Sequence, residues 1–147
     1  MAATELMDEL GPNGRLVGTI NAARREPGGK WVGDLFDGRG CVTAARAAGH
    51  TLRGRSVLQV GAGGVGRAIA FAFAEAGIAR LRVSDLDSQL ASKLVADVAA
   101  AFPSVAAQCT PVPARPSAQD DLIINASPLG MRETDPLPVP AECLRAN

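Results

Sequence analysis

The stretch from Ser56 to Gly77 constrains this chain more than any other part of it. Val57-Leu58-Gln59-Val60 is a short, mostly apolar run, and Gly61-Ala62-Gly63-Gly64-Val65-Gly66 follows it directly. Beyond the glycines, Val65, Ala68, Ile69, Ala72, Phe73 and Ala76 recur at helical spacing, and Gly77 ends the run. Strand, glycine turn and helix in that order open a Rossmann-type βαβ unit. Gly61 then permits the tight turn, Gly63 lets the backbone approach a pyrophosphate, and Gly66 lets the helix pack closely on the strand. The same glycines also serve a plain strand-to-helix turn, but their setting favours a dinucleotide held on the positive end of the helix. Gly61, Ala62, Gly63, Gly64, Val65 and Gly66 are accordingly the first expected cofactor-binding residues.

Alternation of strands and helices continues downstream. Leu81-Arg82-Val83-Ser84 reads as a second strand, and Ser88 to Ala101 as a helix with Leu90, Leu94, Val95 and Val98 inward and Pro103 beyond it. The run Pro111 to Pro116 is a loop, Leu122-Ile123-Ile124 a further buried strand, and Asn125 to Pro140 rich in turns. The pattern is that of an α/β fold with a parallel sheet and right-handed crossovers. Asp85 ends the second strand, 19 residues after Gly66, where such folds place an acid on the adenosine ribose. A carboxylate there accepts from ribose hydroxyls and repels a 2′-phosphate, which favours NAD over NADP. The other reading is that Asp85 or Asp87 caps the helix beginning near Ser88.

The first third follows a different rhythm. Thr4 to Leu10 reads as the last turns of a helix closed by Gly11-Pro12-Asn13-Gly14, and Leu16 to Asn21 as a strand. Glu26-Pro27-Gly28-Gly29 is a turn into a short return strand, Lys30 to Gly33. Asp37 stands where it caps a helix running to about Ala48, with Val42, Ala45 and Arg46 on successive turns and Gly49 as its stop. Residues 1–50 are thus expected to be the end of one α/β unit, and 51–147 a Rossmann unit.

Lysine plus arginine balances aspartate plus glutamate at 15 each, so nothing draws the chain toward nucleic acid or an anionic membrane, and a small-molecule partner is expected. No apolar run nears the roughly 20 residues that span a bilayer. Met1 to Leu10 is acidic and unlike a secretion signal, which gives a cytoplasmic expectation. Cys41, Cys109 and Cys143 are odd in number and widely spaced, which reads as buried thiols and as no metal site. The single histidine, His50, follows Gly49 as a solvated residue at a helix end.

Taken in order, Gly18-Thr19-Ile20-Asn21, Gly33-Asp34-Leu35-Phe36-Asp37-Gly38, Gly61 to Gly66 and Asn125-Ala126-Ser127-Pro128-Leu129-Gly130-Met131 carry a further signal. The series resembles the shikimate dehydrogenase family, including its quinate/shikimate branch, from about Glu5 to Pro140. The resemblance implies an α/β substrate domain and a Rossmann domain facing each other across a cleft. It implies reversible hydride transfer between nicotinamide and C3 of a ring carboxylate, as in 3-dehydroshikimate and shikimate or 3-dehydroquinate and quinate. It also implies that Asn21 hydrogen-bonds a ring hydroxyl, and that Asp37 contacts substrate and is the acidic half of a lysine and aspartate pair that moves the proton. Asn125, Ser127 and Met131 would border the nicotinamide.

This sequence departs from the family pattern at several places. Leu35-Phe36 stands where the family has Asn-Thr, and Ala22 where it has Thr, so fewer polar groups meet the ring and the acid bound stays open. Asp85-Leu86 replaces the Asn-Arg of members that use NADP. The family's carboxylate-binding serines and catalytic lysine precede the segment matching Thr4, and a glutamine-bearing helix follows the segment matching Leu144. Either the sequence is a piece of a longer enzyme or the gene is shortened. In both cases catalysis by this chain alone is not expected, and its open sheet edge predicts self-association. The alternative reading is a dinucleotide-binding module without turnover.

Overall fold

Val57, Leu58 and Val60 are buried on both faces of their strand, the burial of a central strand in a parallel sheet. A computed structural model describes residues 3–144 and places that strand at the centre of the larger of two sheets. After a 3-10 turn at Ala3–Leu6 come β1 (Glu9–Leu10), α1 (Pro12–Val17), β2 (Ala22–Arg25), β3 (Trp31–Asp34) and α2 (Asp37–Ala47). Then follow β4 (Ser56–Val60), α3 (Gly64–Glu75), β5 (Arg80–Ser84), α4 (Ser88–Ala101), β6 (Ala106–Cys109) and β7 (Leu122–Asn125). The first sheet is ordered β1-β3-β2, with β2 antiparallel to β3 across the turn read at Glu26 to Gly29. The second is ordered β6-β5-β4-β7 and wholly parallel. This is the expected Rossmann-type α/β arrangement.

Helix α3 is apolar nearly all round, with Ala68, Ile69, Ala70, Phe71, Phe73 and Ala74 buried. It needs that composition because it packs against β4 on one side and α2 on another. Gly38 makes the helix contact close: a Cβ there would stand 2.1 Å from the carbonyl oxygen of Ala68. Val42 and Leu35 from before residue 50 share one core with Val57, Ile69, Phe73, Leu81 and Val83. Val65 and Leu90, read as inward from spacing, are instead 49% and 44% exposed. Both lie in the first turn of their helices, beyond the reach of the core.

The region before Gly18 differs from its sequence reading. Leu10 ends a strand, Pro12 starts a helix where a helix stop was expected, and Leu16 and Val17 belong to that helix, so the next strand begins only at Ala22. Proline is well placed at a first helical position, and Gly18, at φ 79°, provides the left-handed stop. What holds so short a helix is distant in sequence. The Asp34 carboxylate accepts from the Gly14 amide at 2.7 Å, the Leu35 amide at 2.9 Å and the Asn13 side-chain amide at 3.2 Å. Burial opposes its charge, but these donors outweigh burial and hold its pKa below the ordinary value.

Strand β6 has no apolar run to announce it, since it is a mostly exposed edge held by pairing to β5. Strand β7 is not buried as expected. It lies at the other edge, with Ile123 37% exposed. The Pro-rich connection between them is fastened by Arg82, which pairs with Asp120 and donates to the Thr110 hydroxyl at 3.0 Å. Asp120 also accepts from the Ser117 amide at 2.7 Å and its hydroxyl at 3.0 Å. All three cysteines are free thiols, but Cys109 is exposed and Cys41 and Cys143 are half-buried, so the buried-thiol reading is corrected. No helix among the described residues is long and apolar enough to cross a membrane.

Candidate functional site

From β4 the chain passes through α3 to β5 on one side, while β7 pairs with β4 on the other. The loops after β4 and β7 therefore part at the carboxyl end of the sheet, the crevice where open α/β sheets bind ligands. Gly61 makes their contact possible. It has φ 106°, and a Cβ on it would stand 2.5 Å from the carbonyl oxygen of Ala126. The Gly66 Cα faces the carbonyl oxygen of Gly61, from which a Cβ would lie 2.3 Å. Gly63 and Gly64 face open space and, with Val65, are exposed at the start of α3. The turn thus has the cradle shape a pyrophosphate needs: tight beneath, bare above, with the free amides of a helix start.

Asp85 joins this turn. Its carboxylate accepts from the Ala62 amide at 2.6 Å and the Asp87 amide at 2.8 Å. Asp87, not Asp85, caps α4, accepting from Gln89 at 2.9 Å and Leu90 at 3.2 Å. Asn125 and Ser127 form a closed set after β7. The Asn125 amide donates to the Leu129 carbonyl at 2.7 Å, and the Asn125 carbonyl accepts from the Ser127 hydroxyl at 2.6 Å. Met131 projects into solvent, 82% exposed.

Asn21 and Asp37 meet. The Asn21 side-chain amide donates to Asp37 at 2.6 Å, and its carbonyl accepts from the Phe36 amide at 3.0 Å. Asp37 does not cap α2 as expected: it is the first helical residue, Phe36 holds the cap position, and no side-chain cap bond forms. Its carboxylate is turned to Asn21 instead. Phe36 is 49% exposed next to this pair. Neither lysine of the chain serves Asp37, because Lys30 pairs with Glu9 and Lys93 with Asp97.

Two further residues tie the site together and were not singled out by sequence. Arg67 donates to the Val17 carbonyl at 2.8 Å and to Asp97 at 2.5 Å, with its guanidinium 4.9 Å from the Phe71 ring. It thereby joins α3 and α4 to the end of α1, so that Gly18 and Thr19 line one concavity with Ala62, Gly63 and Gly64. Gln59 lies wholly buried beneath the turn. Its signal was visible as the lone amide in an apolar strand, whereas the partners of Arg67 depend on folding.

The Arg67 hydrogen bond holds the Asp97 carboxyl below its ordinary pKa, aided by Lys93, with burial working the other way. A depressed carboxylate stabilises the fold above its unfolded value of about 4, and that contribution is lost as pH falls through the lower folded value. Asp97→Asn is therefore expected to lower stability at pH 6 and to narrow its gap to wild type below about pH 4. Urea unfolding at pH 6 and pH 3 checks this; an equal gap at both would refute it.

No family model matches the chain. Among curated relatives, the shikimate dehydrogenase (NADP(+)) of Rubrobacter xylanophilus is 35% identical over 140 residues, covering 95% of this chain and 49% of that protein. That of Syntrophomonas wolfei is 37% identical, covering 96% and 49%. Of solved structures, a 5-ketofructose reductase from Gluconobacter superposes with a TM-score of 0.84 at 26% identity, covering 97% of this chain and 51% of that one. The Listeria monocytogenes shikimate 5-dehydrogenase in complex with shikimate and NAD gives 0.81 at 26%, covering 97% and 52%. Quinate dehydrogenase from Corynebacterium glutamicum in complex with NAD gives 0.78 at 28%, covering 95% and 50%. The chain spans about half the length of the relatives it matches. In sequence and in fold the chain is similar to the shikimate dehydrogenases over that half.

Proposed function

We propose that this chain supplies the dinucleotide-binding part and a portion of the substrate-binding part of an oxidoreductase acting on a ring carboxylate. The division follows the two sheets, with residues 1–50 on the substrate side and 51–147 on the cofactor side. The substrate class is 3-dehydroshikimate with shikimate, or 3-dehydroquinate with quinate. The observation that carries this reading is the 2.6 Å bond between Asn21 and Asp37. A bare nucleotide-binding module has no use for such a pair, brought together from 16 residues apart and following closely on Gly18 and Thr19, which line a concavity with the cofactor turn.

When bound, nicotinamide gives or takes the hydride at the ring carbon. The chain's own residues bind and orient. The amides at the start of α3 hold the phosphates, and Asp85, already fixed by the turn, accepts from the ribose hydroxyls. Asn125, Ser127 and Met131 border the nicotinamide side. Asn21 donates to a ring hydroxyl, and Asp37 anchors the proton-moving group at the carbon that changes oxidation state. With Lys30 and Lys93 engaged elsewhere, Asp37 has no lysine partner in this chain. That observation favours the second reading for the chain in isolation: cofactor binding without turnover.

NAD is the preferred cofactor on this reading, because a carboxylate at Asp85 repels a 2′-phosphate and Leu86, 90% exposed beside it, offers no cation to hold one. Relatives named for NADP(+) make this a point to measure. Calorimetric titration of the chain is expected to show at least about tenfold tighter binding of NADH than of NADPH, a difference of about 1.4 kcal/mol. Equal or reversed affinities would sink the assignment to Asp85.

A further inference from the structure

We propose that Gln59 is a positioning residue for the cofactor turn, gripping its first and last glycines at once and setting the peptide that joins the turn to Asp85. The inference rests on the dinucleotide reading above. Gln59 is 0% exposed in a strand whose other buried residues, Val57, Leu58 and Val60, are all apolar. Its Nε2 donates to the carbonyl of Gly61 at 2.8 Å and to that of Gly66 at 2.9 Å. The amide fits in the hollow left by the missing side chain of Gly66, where a Cβ would come 3.1 Å from Nε2.

The consequence follows from planarity. A trans peptide points its carbonyl and its N–H in opposite directions. With the Gly61 carbonyl drawn onto Gln59, the Ala62 N–H is aimed away from it, and it meets the Asp85 carboxylate at 2.6 Å. One peptide is thus held at both ends, by Gln59 on the core side and by the ribose-facing carboxylate on the other. The Gly66 carbonyl fixes the far end of the turn against the same amide, so the phosphate-facing amides between them are set before ligand arrives.

This arrangement is not built for stability. Gln59 Oε1 is buried with no partner among the described residues, and an apolar side chain would leave no such orphan of its own. Substitution by methionine removes that stranded oxygen and strands the Gly61 carbonyl in its place, so folding changes little while the turn loosens.

The test compares the full chain with Q59M, alone and combined with D85N, by NADH and ADP-ribose titration, thermal unfolding and amide exchange at Ala62. Q59M is expected to bind both ligands about tenfold more weakly while melting within about 3 °C of wild type. The Ala62 amide should exchange faster, and D85N should cost at most about twofold in affinity in the Q59M background, far less than its effect on wild type, because the two residues act through one peptide. Unchanged affinity together with unchanged Ala62 exchange overturns the proposal. If wild type binds neither ligand, the dinucleotide reading fails, and Ala62 exchange decides the role of Gln59: faster in Q59M upholds it, unchanged refutes it. Should Q59M not fold, Q59N keeps the amide on a shorter stem that cannot span both carbonyls, and the same two outcomes apply.

Discussion

Gly38→Ala is expected to lower the melting temperature by about 10 °C. The added methyl would stand 2.1 Å from the carbonyl oxygen of Ala68, 2.7 Å from its carbon and 2.8 Å from the Ala72 Cβ. Two of these are backbone atoms inside α3, so no side chain can swing aside, and the α2 and α3 axes must part. Overpacking of this kind costs about 3 kcal/mol, and about 3 °C is lost per kcal/mol in a chain of this size. Gly40 supplies the control. It lies on the same helix with nothing within 4 Å of its missing Cβ, so Gly40→Ala should be neutral or stabilising by about 1 kcal/mol through helix propensity. Thermal unfolding followed by far-ultraviolet circular dichroism measures both. If Gly38→Ala melts within 2 °C of wild type, roughly a fifth of the loss estimated from overpacking, the close contact of α2 with α3 is wrong.

Gly61→Ala should abolish measurable dinucleotide binding, a loss of at least about 100-fold in affinity. Two effects act together. The backbone at φ 106° strains any residue with a Cβ, at a cost of about 1–3 kcal/mol. The new methyl would also stand 2.5 Å from the Ala126 carbonyl oxygen and 2.8 Å from the Ser127 nitrogen. The loops after β4 and β7 must separate, which widens the crevice between cofactor turn and nicotinamide side. Calorimetric titration with NADH, run beside a thermal melt to confirm folding, distinguishes loss of the site from loss of the fold. A folded variant that binds like wild type would remove the pyrophosphate from this turn.

Much of the second sheet was legible because its signals are local. β4, α3, β5 and α4 each carry their own apolar pattern, with a glycine soon after β4 and α3, the Asp87 cap between β5 and α4, and Pro103 after α4, and these elements fall where the spacing predicts. Pro12 to Asn21 was misread because its helix is held by Asp34, about 20 residues away, and nothing in the local window records that bond. Strand β6 escaped notice for a related reason: an exposed edge needs only backbone pairing, which leaves no hydrophobic trace. Asp37 was recognised but assigned a second task, helix capping, that its bond to Asn21 replaces.

Local order along the chain thus decided the glycine turn, the alternation around it and the residue types set at the site, since strand and helix patterning and the backbone freedom of glycine act within a few residues. Folding decided which of those residues meet. Asn21 finds Asp37, Asp85 takes the Ala62 amide, Arg67 reaches back to Val17, and Gln59 closes the turn from beneath. Each of these bonds depends on the direction of a side chain across a packed interface, and that direction is set by the close approach of α2 to α3 and of β7 to β4, which no stretch of sequence contains alone.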